Sequence, residues 1–316
     1  MARYLAKRLL LAVPVAFAVS VAVFVLLRVA PGDVATAMLG PEGAADPQTV
    51  ARIRASLGLD DPLIVQYVRW LGNLARLDAG ESLAKGIPVV ELLAPKLAVT
   101  LELAALAFLV GTGAALVLGV VAARSVGRWP DALARLAIVG GMAVPSFWLG
   151  ILVVVGLARY TGYFPFLTYQ SPLDDPWRNA QQLIFPALVL GWRQAAVTGR
   201  MVRAALLDTL QEDYVRTARA KGLSERAVLY RHALRNAALP SITVLGFQAA
   251  HLLGGAVVLE QVFNLPGLGR ALVDAVLARD YPVVQLLVLF FALVTIAATL
   301  VVDLAYAWLD PRVRYA

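Results

Sequence analysis

Five stretches of the chain run about twenty residues without a charged side chain: 9–27, 103–123, 136–158, 237–259 and 283–302. A helix needs about 20 apolar residues to cross a hydrocarbon core, so each predicts a membrane span. A sixth stretch, 183–199, has the same character but is interrupted by Arg193. The polar positions fall between these runs: a long mixed stretch at 30–98 and a strongly basic one at 200–235. No period-2 alternation competes with this pattern, and the predicted class is all-α integral membrane, with about six transmembrane helices.

The first run follows Arg3, Lys7 and Arg8, as in a secretory signal, but it exceeds the roughly 7–15 apolar residues of a signal h-region. It therefore reads as an uncleaved span. Charge then sets direction, because Lys and Arg concentrate on the cytoplasmic side of short loops. With the N-terminus inside, the inner side collects Arg3, Lys7, Arg8, Arg124, Arg128, Arg135, the segment 200–235, Arg312 and Arg314. The short outer loops hold only Arg159, Arg178, Arg270 and Arg279. This predicts a multi-pass plasma-membrane protein, in bacteria an inner-membrane one, with both termini cytoplasmic. Its parts are a cytoplasmic 1–8, a first helix at 9–29, an external loop at 30–98 and a core at 99–316.

Composition agrees. Of 316 residues 60% are hydrophobic and 16% charged, and mean hydropathy is +0.74; soluble domains average about 25% charged. There is no cysteine and there are two histidines, which exclude thiolate chemistry and a His-rich metal cluster. No G-x-x-x-x-G-K-[ST] cradle is present, so the chain carries no phosphate loop of its own. No carboxylate pair, nucleophile elbow or metal spacing suggests an enzyme.

The basic segment RTARAKGLSERAVLYRHALRN (216–236) has internal order. A helix across 209–221 closes at Gly222, the natural left-handed residue at a helix end. Leu223 supplies an apolar contact, and Ser224 is the N-cap of a second short helix. There Ala227, Tyr230 and Leu234 recur at helical spacing while Arg226, Arg231 and Arg235 take other positions. A DNA-reading helix-turn-helix is excluded by the spans tied to both ends; nucleic acid is not the partner. A short amphipathic helix with a polar rim suits a groove on a partner protein better than a merely solvated loop.

This segment resembles the cytoplasmic coupling motif of ABC importer permeases, Glu-Ala-Ala, three residues, Gly, then Ile-x-Leu-Pro. The match keeps Ala218 and Gly222, while Arg216 and Thr217 replace the Glu and first Ala, and Arg235 stands in the proline slot. DYVRTARAKGL followed by RHALRNAALP is similar to the dipeptide/oligopeptide (peptide/nickel) family, in its first-permease, B-type branch. LLRVAPGD (26–33), LGLDDPLIVQYVRWL (57–71), residues 145–152, EQVFNLPGLG (260–269) and RDYP (279–282) extend the resemblance over nearly the whole chain. LDAGESL departs from the branch's usual Gly-Asp-Leu-Gly-x-Ser at Leu77 and Ala79.

The resemblance implies a type I ABC importer permease fold with a coupling segment at 208–240. It implies a homologous second permease, two cytoplasmic ATPases that bind the ATP and Mg²⁺, and an external substrate-binding protein. This chain would bind no cofactor and no metal, and would form half the pathway for peptides or similar small solutes. The coupling residues are then Ala218, Gly222, Leu223, Ser224, Arg226, Ala227, Tyr230, Arg231 and Leu234. Polar residues at membrane depth are candidates for the pathway: Gln248 and His251 on one face of the fifth span, Arg193 and Gln194 in the fourth, and Glu102 in the second. Helix-to-helix packing or hydrogen bonding is the competing role for the first four, and snorkelling to water at the outer end of its span for Glu102. An ATP-independent channel or secondary transporter is the rival class; it would show inverted repeats around a midplane site, and it leaves the basic segment without a purpose.

Overall fold

The computed structural model describes residues 2–29, 35–36, 46–56, 58–162 and 169–309, and of these the side chains of all but 2–7, 9, 53, 56, 239 and 303–309. Arg312 and Arg314, and residues 30–33 of the 26–33 motif, lie outside the described residues. Helices dominate, and among the described residues the only extended pairing is an isolated bridge between Glu81 and Pro88. In chain order they are α1 (Ala2–Val29), α2 (Pro47–Ser56), α3 (Leu63–Ala75), α4 (Val89–Arg124), α5 (Trp129–Ala143), α6 (Ser146–Thr161) and α7 (Pro176–Thr209). There follow α8 (Asp213–Ala220), the single turn α9 (Glu225–Ala227), a π-helical turn (Val228–Ala233), α10 (Leu234–Val262), α11 (Leu268–Leu277) and α12 (Tyr281–Leu309).

Among the described residues, four helices are long and apolar enough to cross a membrane: Leu10–Val29, Val89–Arg124, Pro240–Val262 and Tyr281–Val302. The span expected at 136–158 is broken. α5 and α6 meet at 106°, because Pro145 has no N–H to continue the ladder and forces Val144 out of the helical region (ψ 123°). The expected 183–199 span lies inside the 34-residue α7. α7 is less apolar than the others because it is buried by protein rather than bathed in lipid.

Contacts divide the chain into two compact units, 100–265 with 297–316, and 2–99 with 266–296. In the first, α7 is the central helix. Leu183, Ala187, Leu190, Ala195, Val202 and Leu206 are buried along it. Its seam with α4 is set by glycine: a Cβ at Gly191 would stand 2.8 Å from Ala107 O, and one at Gly111 2.7 Å from Gly191 O. No larger residue permits that backbone approach. Gly141 and Gly255 pack onto α7 in the same way, whereas Gly254 faces open space. Trp192 is a packing residue, donating its indole N–H to Ala137 O at 3.1 Å.

In the second unit, Val89, Leu93, Leu268, Ala271, Ala275, Val283, Val284 and Leu287 form one cluster. The 30–98 stretch, read from sequence as a loop, contains α2, α3 and the first turns of α4. α3 docks on α1 through Tyr67 and Trp70 against Phe24 (centroids 5.3 and 6.0 Å). Ser20 Oγ lies 2.8 Å from the Tyr67 hydroxyl.

Candidate functional site

The basic segment forms a corner. α7 ends at Thr209, and Leu210–Glu212 turn the chain into α8, which starts at Asp213 rather than at 209. Val215 and Ala218 of α8 are buried against Val228, with Leu210 packed beside them. Asp213, Tyr214, Arg216, Thr217, Arg219 and Ala220 remain exposed. Gly222 follows at φ +78°, the left-handed conformation expected of it. Ser224 caps the next turn, its Oγ accepting from the Ala227 N–H at 3.4 Å.

Two side-chain pairs hold the corner. Arg219 Nε donates to Glu225 Oε1 at 2.9 Å, straddling Gly222. Asn236 Nδ2 donates to the Tyr214 hydroxyl at 2.7 Å, tying α8 to the first turn of α10.

Beyond Ser224 the sequence reading needs correction. The second short helix is not a separate lever: α9 passes through the π-turn directly into α10. Its inward face is not the one expected to meet a partner. Leu229, Ala233 and Ala237 turn inward, packed with Val120, Ala123, Val202 and Leu206, while the buried Val228 packs with Val215 and Ala218 of α8. Tyr230 is 54% exposed, Ala227 and Leu234 are half-buried, and Arg226 and Arg231 are exposed. Ala218, expected to face a partner, faces inward. Leu223 is 41% exposed. Exposed faces remain both on α8 and on the segment from Leu223 to Arg231.

The pathway candidates scatter. Gln194 is 1% exposed and donates Nε2 to Thr112 Oγ1 at 3.1 Å and to Phe108 O at 3.4 Å. It sits in the α4–α7 seam, while its neighbour Arg193 is exposed. Gln248 is half-buried and His251 exposed; His251 Nδ1 lies 2.9 Å from Phe247 O. Their three-residue spacing keeps them on one face of α10. Glu102, half-buried, accepts a hydrogen bond from the Tyr169 hydroxyl. Burial, and then that bond to Glu102, push the Tyr169 phenol above its ordinary pKa, so it stays the donor.

Sequence reading passed over three buried carboxylates. Glu260 accepts from Thr100 Oγ1 at 2.7 Å, with both residues at most 1% exposed. Asp280 accepts from the Ser82 hydroxyl, from the Leu83 N–H at 3.1 Å and from the Ala84 N–H at 3.4 Å. Asp131 joins α5 to α7, accepting from the Gly127 N–H at 3.2 Å and from Arg203 Nε at 3.3 Å. Two of the three lie in motifs already singled out, EQVFNLPGLG and RDYP. A buried carboxylate needs such partners, since unpaired it costs far more than it contributes.

Among the described residues, long apolar helices, one bent pair and a capped polar corner mark a polytopic membrane protein. Profile comparison agrees: the family described as binding-protein-dependent transport system inner membrane component matches residues 115–315, and its N-terminal companion matches residues 1–104. The chain is 44% identical over 309 residues to a putative peptide transport system permease protein of Brucella abortus (strain 2308), covering 98% of each. It is 42% identical over 315 residues to the glutathione transport system permease protein of Escherichia coli (strain K12), covering 100% of each. Among solved structures, a chain of an amino acid ABC transporter with histidines matches at a TM-score of 0.55 and 17% identity, over 69% of this chain and 94% of that one; the likeness is one of fold. The chain belongs to the binding-protein-dependent transport system inner membrane components, as an ABC importer permease of the peptide/nickel family.

Proposed function

We propose that the chain forms half of the pathway of an importer for peptides or similar small peptide-like solutes, driven by ATP hydrolysis in a partner. The relatives named for peptide and glutathione transport support this substrate class. The proposed assembly contains a homologous second permease, two cytoplasmic ATPases holding ATP and Mg²⁺, and an external binding protein. Charge bias supports placing both termini and 200–235 in the cytoplasm and 30–98 outside.

The observation that carries the reading is the α8 corner. A chain without a phosphate loop presents an exposed, capped short helix, clamped to the start of α10 by Tyr214–Asn236. When the ATPase pair closes, the docked α8 moves, and the clamp passes that displacement to α10. Gln248 and His251, on one face of α10, would then line the route whose access changes. Ala218, Gly222, Ser224 and Ala227 shape the corner, while Leu223, Arg226, Tyr230 and Arg231 border it, with Leu234 at the root of α10.

The natural absence of cysteine makes the test clean. In the assembled transporter, Arg216→Cys should cross-link to an ATPase carrying cysteines along its surface groove, and Leu277→Cys should not. Arg226→Cys in intact cells should resist a membrane-impermeant thiol reagent. Labelling of position 226 from outside, or absence of any cross-link from 216, would refute the assignment.

A further inference from the structure

The second unit contains a cavity of about 540 Å³ that the transport reading leaves without a use. Its size lies within the roughly 300–1,000 Å³ of small-ligand sites. Arg28, Gln66, Trp70, Asp78, Glu81 and Gln285 are among its lining residues. Arg28 stands at the end of α1, its guanidinium carbon 4.1 Å from the Phe24 ring centroid and 5.8 Å from that of Tyr281. Its Nε and Nη2 both donate to Gln66 Oε1 at 3.3 Å. Gln66 in turn is fixed by its Nε2, which donates to Leu59 O at 3.0 Å and Asp61 O at 2.8 Å.

Two donors in this wall have no acceptor. Arg28 Nη1 and Gln285 Nε2 are buried and unbonded, and Gln285 is only 3% exposed. Gln285 lies four residues after Tyr281 on α12, hence on the same helical face as the ring beside Arg28. A buried unsatisfied donor is costly, more so when charged, and both belong to side chains that line this one cavity, so each favours an acceptor placed there. A planar carboxylate meets a guanidinium and an amide N–H with the geometry both prefer.

The rest of the wall carries the opposite sign. Asp78 and Glu81 are exposed, and one Asp78 oxygen is occupied by the Gly80 N–H at 2.9 Å. The remaining cation, Arg69, is matched by Asp61 at 2.7 Å. The cavity thus has a buried donor pole and an exposed acceptor pole. We propose that it binds a short zwitterionic peptide, with the carboxylate held by Arg28 and Gln285 and the ammonium group facing Asp78 and Glu81. Trp70 offers the apolar surface between the poles. The choice of peptide rests on the proposed import function; the donor–acceptor arrangement does not.

The test is equilibrium titration of the purified full-length chain in nanodiscs with L-alanyl-L-alanine, its C-terminal amide and its N-acetyl form. The free dipeptide should bind saturably. The amide should bind about tenfold more weakly or worse, the loss of a charge-assisted hydrogen bond, and the N-acetyl form should weaken less because its lost partner is solvent-exposed. Arg28→Met and Gln285→Leu should each reproduce the amide's loss, with thermal unfolding confirming that the chain still folds. Absence of saturable binding, equal binding of dipeptide and amide, or binding indifferent to both substitutions overturns the site. The amide comparison needs no variant, so a misfolded mutant does not rescue the proposal. If peptide-stimulated ATP hydrolysis by the assembled transporter persists while this binding is absent, the site falls and the import reading stands.

Discussion

Replacing Gly222 separates a lever from a loop. Its φ of +78° is a conformation that costs a side-chain-bearing residue roughly 1–2 kcal/mol, and a β-branched one more. Space is not the issue, since a Cβ at Gly222 would meet nothing within 4 Å. The restraints on the corner are of comparable size. The exposed Arg219–Glu225 pair contributes about 0–1 kcal/mol, the Tyr214–Asn236 bond about 1, and the long 3.4 Å Ser224 cap the low end of about 0.5–2. Gly222→Val therefore loads the corner with strain near the sum of its polar contacts, leaving the packing of Val215 and Ala218 on Val228 as the remaining restraint. α8 should detach from its register while the spans, buried elsewhere, remain folded. Gly222→Ala should be intermediate, and Gly222→Asn nearly silent, because Asn tolerates the left-handed region. The assay is ATPase retention and substrate-stimulated hydrolysis in the purified complex, with chain insertion as control. An order that follows side-chain volume instead, with Asn worse than Ala, would refute the backbone argument. Wild-type behaviour of Gly222→Val would reduce the segment to a solvated loop.

Two further outcomes are expected. Asp280→Ala strands the Ser82 hydroxyl and two backbone N–H groups and should destabilise the chain by about 3 kcal/mol. Limited proteolysis should then cut first within 78–88, and unchanged cleavage there would show that the carboxylate does not pin that turn. Changing Gln248 and His251 together to Leu should depress uptake while leaving complex assembly intact; unaltered uptake would make them packing residues.

Much of the architecture was legible because the hydrophobic effect writes it in long runs: α1, α4, α10 and α12 each contain a charge-free stretch of spanning length. The failures have local causes. Pro145 and its effect on Val144 convert one apolar run into two helices, and run length is blind to a 106° break. α7 was the weakest expectation because hydropathy measures affinity for lipid, while α7 is buried by neighbouring helices through glycine contacts. At the corner, Gly222 and Ser224 were readable from cap chemistry. The inward face beyond Ser224 was not legible, because a π-turn has no sequence period of its own. Glu260 and Asp280 were invisible for another reason: a buried carboxylate is recognised by its donors, and those stand 160 and 198 residues away.

The π-turn has a consequence for how force would travel. Were 225–236 an isolated helix ending before the membrane, motion at α8 would reach the pathway through a flexible joint. Instead α9, the π-turn and α10 form one continuous rod, and its buried side, Leu229, Ala233 and Ala237, is keyed into α4 and α7 through Val120, Val202 and Leu206. Interlocked side chains have discrete arrangements rather than a continuum, so a push on α8 shifts α10 by a step or not at all. π-turns inside helices are frequently functional, and this one is where such a step could be taken up without unpacking the ends. In the proposed coupling, a partner's motion would then reach α10 through the packing of Leu229 and Ala233 against α4 and α7, not through the exposed arginines alone.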